Sequence, residues 1–150
     1  MAEPRYRRRK EDRPQEITDA AFAAFAENGY SATRVEDVAK RAGVSKGLLY
    51  LYFKTKEELF KAVVRSVVVP RIDALVDEAQ KPGQTSEAFL RGPILELMKG
   101  IPGSPVSTVI RLMIAEGRKH PDLVEWYWEH VASRGMAMIG DLLDRGVANG

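Results

Sequence analysis

The chain has 150 residues, 45% hydrophobic and 29% charged, a composition typical of one or two small globular domains. This balance excludes an intrinsically disordered tail and a collagen-like repeat. The chain has no cysteine, which excludes disulfides, thiolate metal sites and a cysteine nucleophile, and which fits an intracellular, reducing compartment. Apolar runs such as Val67-Val68-Val69 are far shorter than the roughly 20 residues that span a bilayer. We therefore expect a cytoplasmic protein without a membrane segment.

Charge is distributed unevenly along the chain. Residues 1–61 carry 13 Lys and Arg against 10 Asp and Glu, a net charge of +3, whereas residues 62–150 carry 10 against 11, a net charge of −1. The N-terminus holds six basic side chains, with no apolar segment after them to form a secretory signal: Arg5, Arg7, Arg8, Arg9, Lys10 and Arg13. We interpret residues 1–13 as a mobile basic arm, and the basic excess as suited to an anionic partner.

Helix signals are dense in the first half of the chain. Thr33-x-x-Glu36 and Thr55-x-x-Glu58 have the pattern of capping boxes, which mark helix starts, and Ser45 is a third candidate N-cap. Asn28-Gly29 and Ala42-Gly43 have the residues that end helices. The predicted helices span residues 14–28, 33–42 and 45–53, followed by a long helix from residue 55.

The second and third of these helices form a helix-turn-helix pattern. They are short and are joined by Ala42-Gly43-Val44, where the glycine can adopt the positive φ that the turn requires. Leu49 is expected to point into the core, leaving Gly47, Tyr50 and Leu51 on the opposite face. A short, mostly uncharged outer face of this kind fits the major groove of DNA. A helical hairpin that only packs against the domain is the alternative.

The sequence from Asp37 to Leu59, DVAKRAGVSKGLLYLYFKTKEEL, resembles the DNA-binding signature of the tetracycline-repressor (TetR) family. The resemblance covers about residues 14–65 and implies an all-α protein. It implies an N-terminal three-helix helix-turn-helix domain at residues 14–62 and a helical ligand-binding and dimerisation domain at residues 63–150. The expected function is that of a bacterial one-component transcriptional regulator, usually a repressor. Such a regulator binds operator DNA as a homodimer and releases it when a small molecule enters the C-terminal domain.

The same resemblance implies a set of DNA contacts. Contacts from the recognition helix are expected at Ser45, Lys46, Gly47 and Tyr50, and phosphate contacts at Tyr52, at Lys56 and at either Thr33 or Arg34. Leu48 and Leu51 depart from the family pattern, in which threonine and an aromatic residue are common, so they are expected to make apolar contacts with thymine methyl groups. Glu36 occupies a position that is basic in some relatives. Its carboxylate would repel phosphate, so we predict a capping role for it instead.

The second half is predicted to be helical, with a break at residues 81–84. The expected helices span residues 86–99, with a kink or split at Gly92-Pro93, residues 104–119, and residues 120–147. Met98, Met113 and Trp126, together with Met136, Met138 and Trp128, are candidates for lining a ligand cavity; an ordinary bundle core is the alternative. Family members generally continue through two more helices that build a four-helix dimer interface. We therefore expect this chain, which ends at Asn149-Gly150, to be a truncated regulator.

No motif in the sequence predicts an enzyme. There is no Gly-rich phosphate loop, nucleophile elbow or paired-histidine zinc motif, and we expect no metal and no cofactor. Glu116 and His120 are spaced to pair on a helix surface. A DNA-binding adaptor, whose C-terminal helices bind a protein partner, is the alternative to a ligand-responsive regulator. Exposure of Trp126, Tyr127 and Trp128 would favour the adaptor, and an enclosed cavity would favour the ligand sensor.

Overall fold

The computed structural model describes residues 5–149, and every regular element in that range is a helix, which confirms the predicted all-α class. The α-helices are α1 (Arg5–Asn28), α2 (Val35–Ala42), α3 (Lys46–Tyr52), α4 (Lys56–Ala79), α5 (Ser86–Phe89), α6 (Leu95–Gly100), α7 (Pro105–Glu116), α8 (Pro121–Tyr127) and α9 (Ser133–Asn149). Short π-helical segments, Leu90–Ile94 and Trp128–Ala132, join α5 to α6 and α8 to α9. Among the described helices, none is both long and apolar enough to cross a membrane.

The chain divides into two compact units, Met1–Ser66 and Val67–Gly150, here named the N-terminal unit and the C-terminal unit. The division lies within α4, close to the predicted boundary after residue 62. Each unit buries its own set of apolar side chains.

Helix α1 begins at Arg5, so its start differs from the one predicted at Pro14. Residues 5–13 include five arginines, one lysine and one glutamate, which favour helix, and Pro14 is accommodated inside α1. The Thr18 hydroxyl donates to the carbonyl oxygen of Pro14 at 2.7 Å. The first four residues of the basic arm lie outside the described residues, and the predicted mobility of the arm stays a prediction.

The core of the N-terminal unit is centred on three aromatic rings. The Phe25 ring lies 5.3 Å from that of Phe60 and 5.7 Å from that of Tyr30, and the Tyr30 and Phe60 rings are 5.0 Å apart, all measured between centroids. All three side chains are buried, as are Val38 of α2 and Leu49 of α3. Because α1, α2, α3 and α4 all contribute to this core, the orientation of α3 is set by burial of apolar surface.

In the C-terminal unit, the predicted helix over residues 86–99 is split at Gly92-Pro93 by the first π-helical segment. Since proline has no backbone N–H, a local change of hydrogen-bonding pattern is the expected response. The predicted helix over residues 120–147 is also interrupted, at Trp128–Ala132, and it extends to Asn149. The core includes Ala79, Phe89, Met138 and Leu142, which draws on α4, α5 and α9.

Candidate nucleic-acid interface

Helices α2 and α3 form a helix-turn-helix, and the turn between them depends on Gly43. This residue has φ of +67°, a left-handed conformation that glycine adopts at little cost. The backbone N–H of Gly43 bonds to the Lys40 carbonyl oxygen at 3.1 Å, and that of Val44 bonds to the Ala39 carbonyl oxygen at 3.0 Å. These bonds satisfy the last carbonyls of α2 and turn the chain sharply into α3.

Helix α3 begins with a side-chain cap and exposes the predicted face. The Ser45 hydroxyl accepts from the backbone N–H of Leu48 at 3.0 Å, so Ser45 is the predicted N-cap. Leu49 is 1% exposed, whereas Leu51 is 71% exposed and Gly47 is also exposed. A leucine this exposed contributes little to the core, so its apolar side chain is available to a partner.

Three other predicted contact residues, Leu48, Tyr50 and Tyr52, are partly exposed. They lie on the short helix α3 together with the exposed Lys46. The structure therefore brings the predicted residues of the recognition helix onto one seven-residue element.

Lys46 forms an ion pair with Glu36 of α2, and its ammonium lies 5.8 Å from the centre of the Tyr50 ring. The hydrogen bond from Lys46 lowers the pKa of the Glu36 carboxyl, and the same bond raises the pKa of Lys46. Both side chains are exposed, so water screens the pair and its contribution to stability is small. What the pair does change is the charge that α3 presents, since Glu36 neutralises Lys46.

The capping box predicted at Thr33 and Glu36 is wrong. Helix α2 begins at Val35 with Arg34 at the N-cap position, and no side chain caps it. Thr33 is 3% exposed, and its hydroxyl donates to the carbonyl oxygens of Gly29 at 2.6 Å and Ala24 at 3.2 Å. The Thr33 hydroxyl is therefore used inside the domain, and the implied phosphate contact at Thr33 or Arg34 stays a prediction. Of the two alternatives for this phosphate contact, the exposed Arg34 is the one on the surface.

The second capping box, at the start of α4, is present, but the carboxylate of Glu58 bonds to a backbone N–H one residue earlier than the pattern predicts. The backbone N–H of Glu58 bonds to the Thr55 hydroxyl at 3.0 Å, as the pattern predicts. The Glu58 carboxylate accepts from the backbone N–H of Lys54 at 2.7 Å, one residue before the cap. Two backbone donors at the helix start are thereby satisfied, which fixes the chain as it leaves α3.

Lys56 has an internal role that the sequence did not indicate. Its ammonium donates to the carbonyl oxygens of Tyr30 at 2.9 Å, Ser31 at 3.2 Å and Thr33 at 3.3 Å, and it lies 4.6 Å from the centre of the Tyr30 ring. An ammonium has three hydrogens, and each has an acceptor here. The implied phosphate contact of Lys56 stays a prediction. In this arrangement the side chain holds the α1–α2 connection to the start of α4.

A bidentate ion pair that sequence reasoning missed joins α2 to α1. The Arg41 guanidinium donates to both carboxylate oxygens of Glu27, at 2.8 Å and 2.5 Å. The hydrogen bond from Arg41 lowers the pKa of Glu27. The two residues are 14 positions apart, so no helical spacing in the sequence could have indicated the pair.

The three ligand-binding candidates do not line the pocket of about 580 Å³ in the C-terminal unit, whose walls include Leu75, Leu97 and Ile101. The candidates are Met98, which is 58% exposed, Met113, which is partly exposed, and Trp126, which is 8% exposed. Trp126 stacks on the His130 ring at 5.5 Å. Helical spacing alone did not separate cavity-lining residues from core and surface residues. Among the described residues, no cluster of His, Asp and Glu fits a metal ion.

Comparisons with known proteins agree with this geometry. Residues 17–63 match the family model described as bacterial regulatory proteins, tetR family. The chain is similar to the fatty acid metabolism regulator protein of Bacillus subtilis, with 35% identity over 80 residues that cover 52% of this chain and 41% of that protein. It is 29% identical to the transcriptional repressor KstR2 of Mycolicibacterium smegmatis over 142 residues, which cover 92% of this chain and 66% of the repressor.

Solved structures resemble the chain over most of its length. A TetR-family transcriptional regulator from Mesorhizobium loti superposes with a TM-score of 0.77 at 28% identity, covering 95% of this chain and 71% of that one. By sequence, the chain matches between 28% and 41% of the length of three curated relatives from Bacillus subtilis. The structural similarity therefore covers most of the chain, and the family model matches at residues 17–63, within the N-terminal unit.

Proposed function

We propose that the chain is a one-component transcriptional repressor of the tetR family, because residues 17–63 match that family's model and the chain is similar over most of its length to a repressor and to a solved structure of that family. It binds operator DNA as a homodimer and is released when a small molecule binds the C-terminal unit. This function needs no catalytic group and no cofactor, and it operates in the cytoplasm. The observation that carries the proposal is the surface of α3, where Leu51 is 71% exposed beside the exposed Gly47 while Leu49 is buried.

In this proposal, α3 enters the major groove. Gly47 has no side chain and nothing within 4 Å of where a Cβ would be, so the helix can approach the base edges closely. Leu51 contacts thymine methyl groups, which are apolar features of the major groove. Tyr50 and Tyr52 supply hydroxyl groups to base edges or phosphates, and such phosphate contacts fix the register of the protein on DNA.

Lys46 must exchange partners for DNA to bind. Its ammonium is paired with Glu36 in the free protein, and a phosphate or a guanine edge would replace that carboxylate in the complex. Glu36 then lies close to the DNA without a counter-charge, and it repels the phosphates. This arrangement lowers affinity for every sequence, so contacts that recognise bases decide where the protein stays bound.

The proposal is tested by recovering genomic fragments on the immobilised chain at several salt concentrations and then measuring affinity for the recovered duplexes. We expect Leu51→Ala to weaken binding to the best fragment by about 1–3 kcal/mol while changing affinity for unrelated DNA little. Ile114→Ala is the matched control, because Ile114 is 75% exposed in the C-terminal unit. Equal affinity of the wild-type chain for all fragments would contradict sequence-specific recognition.

One observation favours the adaptor function as a second candidate. Trp128 is 54% exposed, although Trp126 beside it is buried. An exposed tryptophan is a common anchor at protein interfaces. If the adaptor function is correct, Trp128→Ala abolishes capture of a protein partner and leaves DNA affinity and its response to small molecules unchanged.

A further inference from the structure

The pocket of about 580 Å³ in the C-terminal unit has an apolar wall built from two helical faces. Pro93, Leu97 and Ile101 line it at intervals of four residues, so they share one face of the segment that contains α6. Leu75 contributes from α4. The volume lies within the range typical of small-molecule sites, and the wall suits the apolar part of a ligand.

The charges that line the pocket are not equivalent. Glu78 pairs with Lys81, and Glu96 pairs with Lys99 at 2.9 Å, so both carboxylates have a lysine as counter-charge. Arg71 differs, because among the side chains that the structure describes, residues 12–149, no carboxylate pairs with it. Its Nη1 donates to the carbonyl oxygen of Val67 at 2.6 Å. The pocket therefore has one lining charge without a counter-charge, and that charge is positive.

We infer that this pocket binds an amphipathic anion, with the headgroup on Arg71 and the apolar portion against Leu75, Leu97 and Ile101. A guanidinium has five donors in a planar fork, and one of them is used by Val67. The remaining donors match the oxygens of a carboxylate or a phosphate monoester, which arginine binds through two parallel hydrogen bonds. A regulatory role for this ligand rests on the proposed function, in which a small molecule releases the protein from DNA. Binding of the ligand itself can be measured without DNA.

Neutral and cationic amphiphiles are disfavoured by the same contacts. A cationic headgroup would be repelled by Arg71, and a neutral alcohol would make weaker hydrogen bonds than an ionised group. The apolar wall would accept all three kinds of molecule equally. Selection among them therefore depends on Arg71.

Isothermal calorimetry on the full chain tests this inference with four probes of equal chain length: decanoate, decyl phosphate, decan-1-ol and decylammonium. We expect both anions to bind more tightly than the alcohol and the amine, and the tighter anion identifies the headgroup. Arg71→Gln retains a donor for the Val67 carbonyl oxygen and removes the charge. It should weaken anion binding by about tenfold or more.

Arg111→Gln is the matched control, because Arg111 is an exposed arginine of the same unit outside this pocket. It should leave anion affinity unchanged. Unchanged affinity in Arg71→Gln, equal affinity for decan-1-ol or decylammonium, or no binding of either anion would each overturn the inference. Failure of the proposed function has a different result: Arg71-dependent anion binding would remain, while a saturating anion would leave DNA affinity unchanged.

Discussion

The two units differ in what holds their functional surfaces in place. In the N-terminal unit, α3 is positioned by backbone devices, a left-handed Gly43 and two capping side chains, and by the buried Leu49. In the C-terminal unit, the candidate pocket lies beside a π-helical turn at Pro93, and its selectivity depends on one arginine. The position of the exposed face of α3 is therefore determined by local backbone geometry. The selectivity of the pocket depends on Arg71, the lining charge for which the described side chains provide no counter-charge.

Whether the two units are stabilised separately can be tested by truncating one buried phenylalanine in each unit. Phe60 is 1% exposed in the N-terminal unit, and Phe89 is fully buried in the C-terminal unit. We expect Phe60→Ala and Phe89→Ala each to lower the free energy of unfolding by about 3–5 kcal/mol. Hydrogen exchange measured by mass spectrometry should show that protection is lost mainly in the unit carrying the substitution. Equal loss of protection in both units would show one cooperative core and would contradict separate stabilisation of the two units.

The sequence predicted the N-terminal unit better because its signals are local. Gly43 and Ser45 act within four residues of their partners, so their roles follow from spacing alone. The capping role predicted for Thr33 is wrong, and the internal hydrogen bonds of Lys56 were not predicted, because their partners include Gly29 and Tyr30, which come near these side chains only when the chain is folded. The pocket around Arg71 could not be predicted, since it depends on which of several charged side chains lack a counter-charge.

The close contact around Gly117 in the C-terminal unit gives the next largest expected effect on stability. A Cβ at Gly117 would lie 2.6 Å from the Met113 carbonyl oxygen and 2.8 Å from Cγ2 of Val124. We expect Gly117→Ala to destabilise the protein by about 1–3 kcal/mol through overpacking. Gly140→Ala is the control, because Gly140 lies in α9 with nothing within 4 Å, and alanine there should stabilise by about 0.5–1 kcal/mol. Thermal denaturation that gave both variants the same sign would contradict this account.

Two neighbouring lysines are expected to have different roles: Lys56 makes internal hydrogen bonds, and Lys54 contacts a phosphate of DNA. Lys54 is exposed, whereas the Lys56 ammonium donates to three carbonyl oxygens. We expect Lys56→Ala to reduce the free energy of unfolding by about 1–3 kcal/mol, and the slope of log affinity against log salt in this variant tests whether Lys56 also contacts a phosphate. Lys54→Ala should leave stability unchanged and reduce that slope by about 0.9, the value for one phosphate contact. The reverse pattern would assign the phosphate contact to Lys56.

The carboxylate of Glu36 is expected to have a small effect on DNA affinity. We expect Glu36→Gln to free Lys46 and to raise affinity for all DNA sequences by about two- to fivefold. Glu87→Gln, which breaks an ion pair with Arg91 in the C-terminal unit, is the control and should not change DNA affinity. Fluorescence anisotropy with an unrelated duplex measures both variants. Reduced affinity in Glu36→Gln would contradict the repulsive role.

The ion pair between Glu36 and Lys46 also predicts that the stability of the protein depends on pH. Because Lys46 lowers the pKa of Glu36 below 4.5, the stability contributed by the pair is present above that pH and is lost as pH falls through the lowered value. Glu27, whose pKa is lowered by Arg41, follows the same sign.

Nuclear magnetic resonance titration with a duplex recovered in the genomic selection tests whether α3 is the surface that reads DNA. If the exposed face of α3 recognises DNA, backbone amide shifts should be largest at residues 45–54, with smaller shifts near Arg34. Leu51→Ala should reduce these shifts and leave those of the C-terminal unit as they were. Shifts concentrated in residues 67–149, or equal shifts in wild type and Leu51→Ala, would contradict the claim that α3 is the DNA-reading surface.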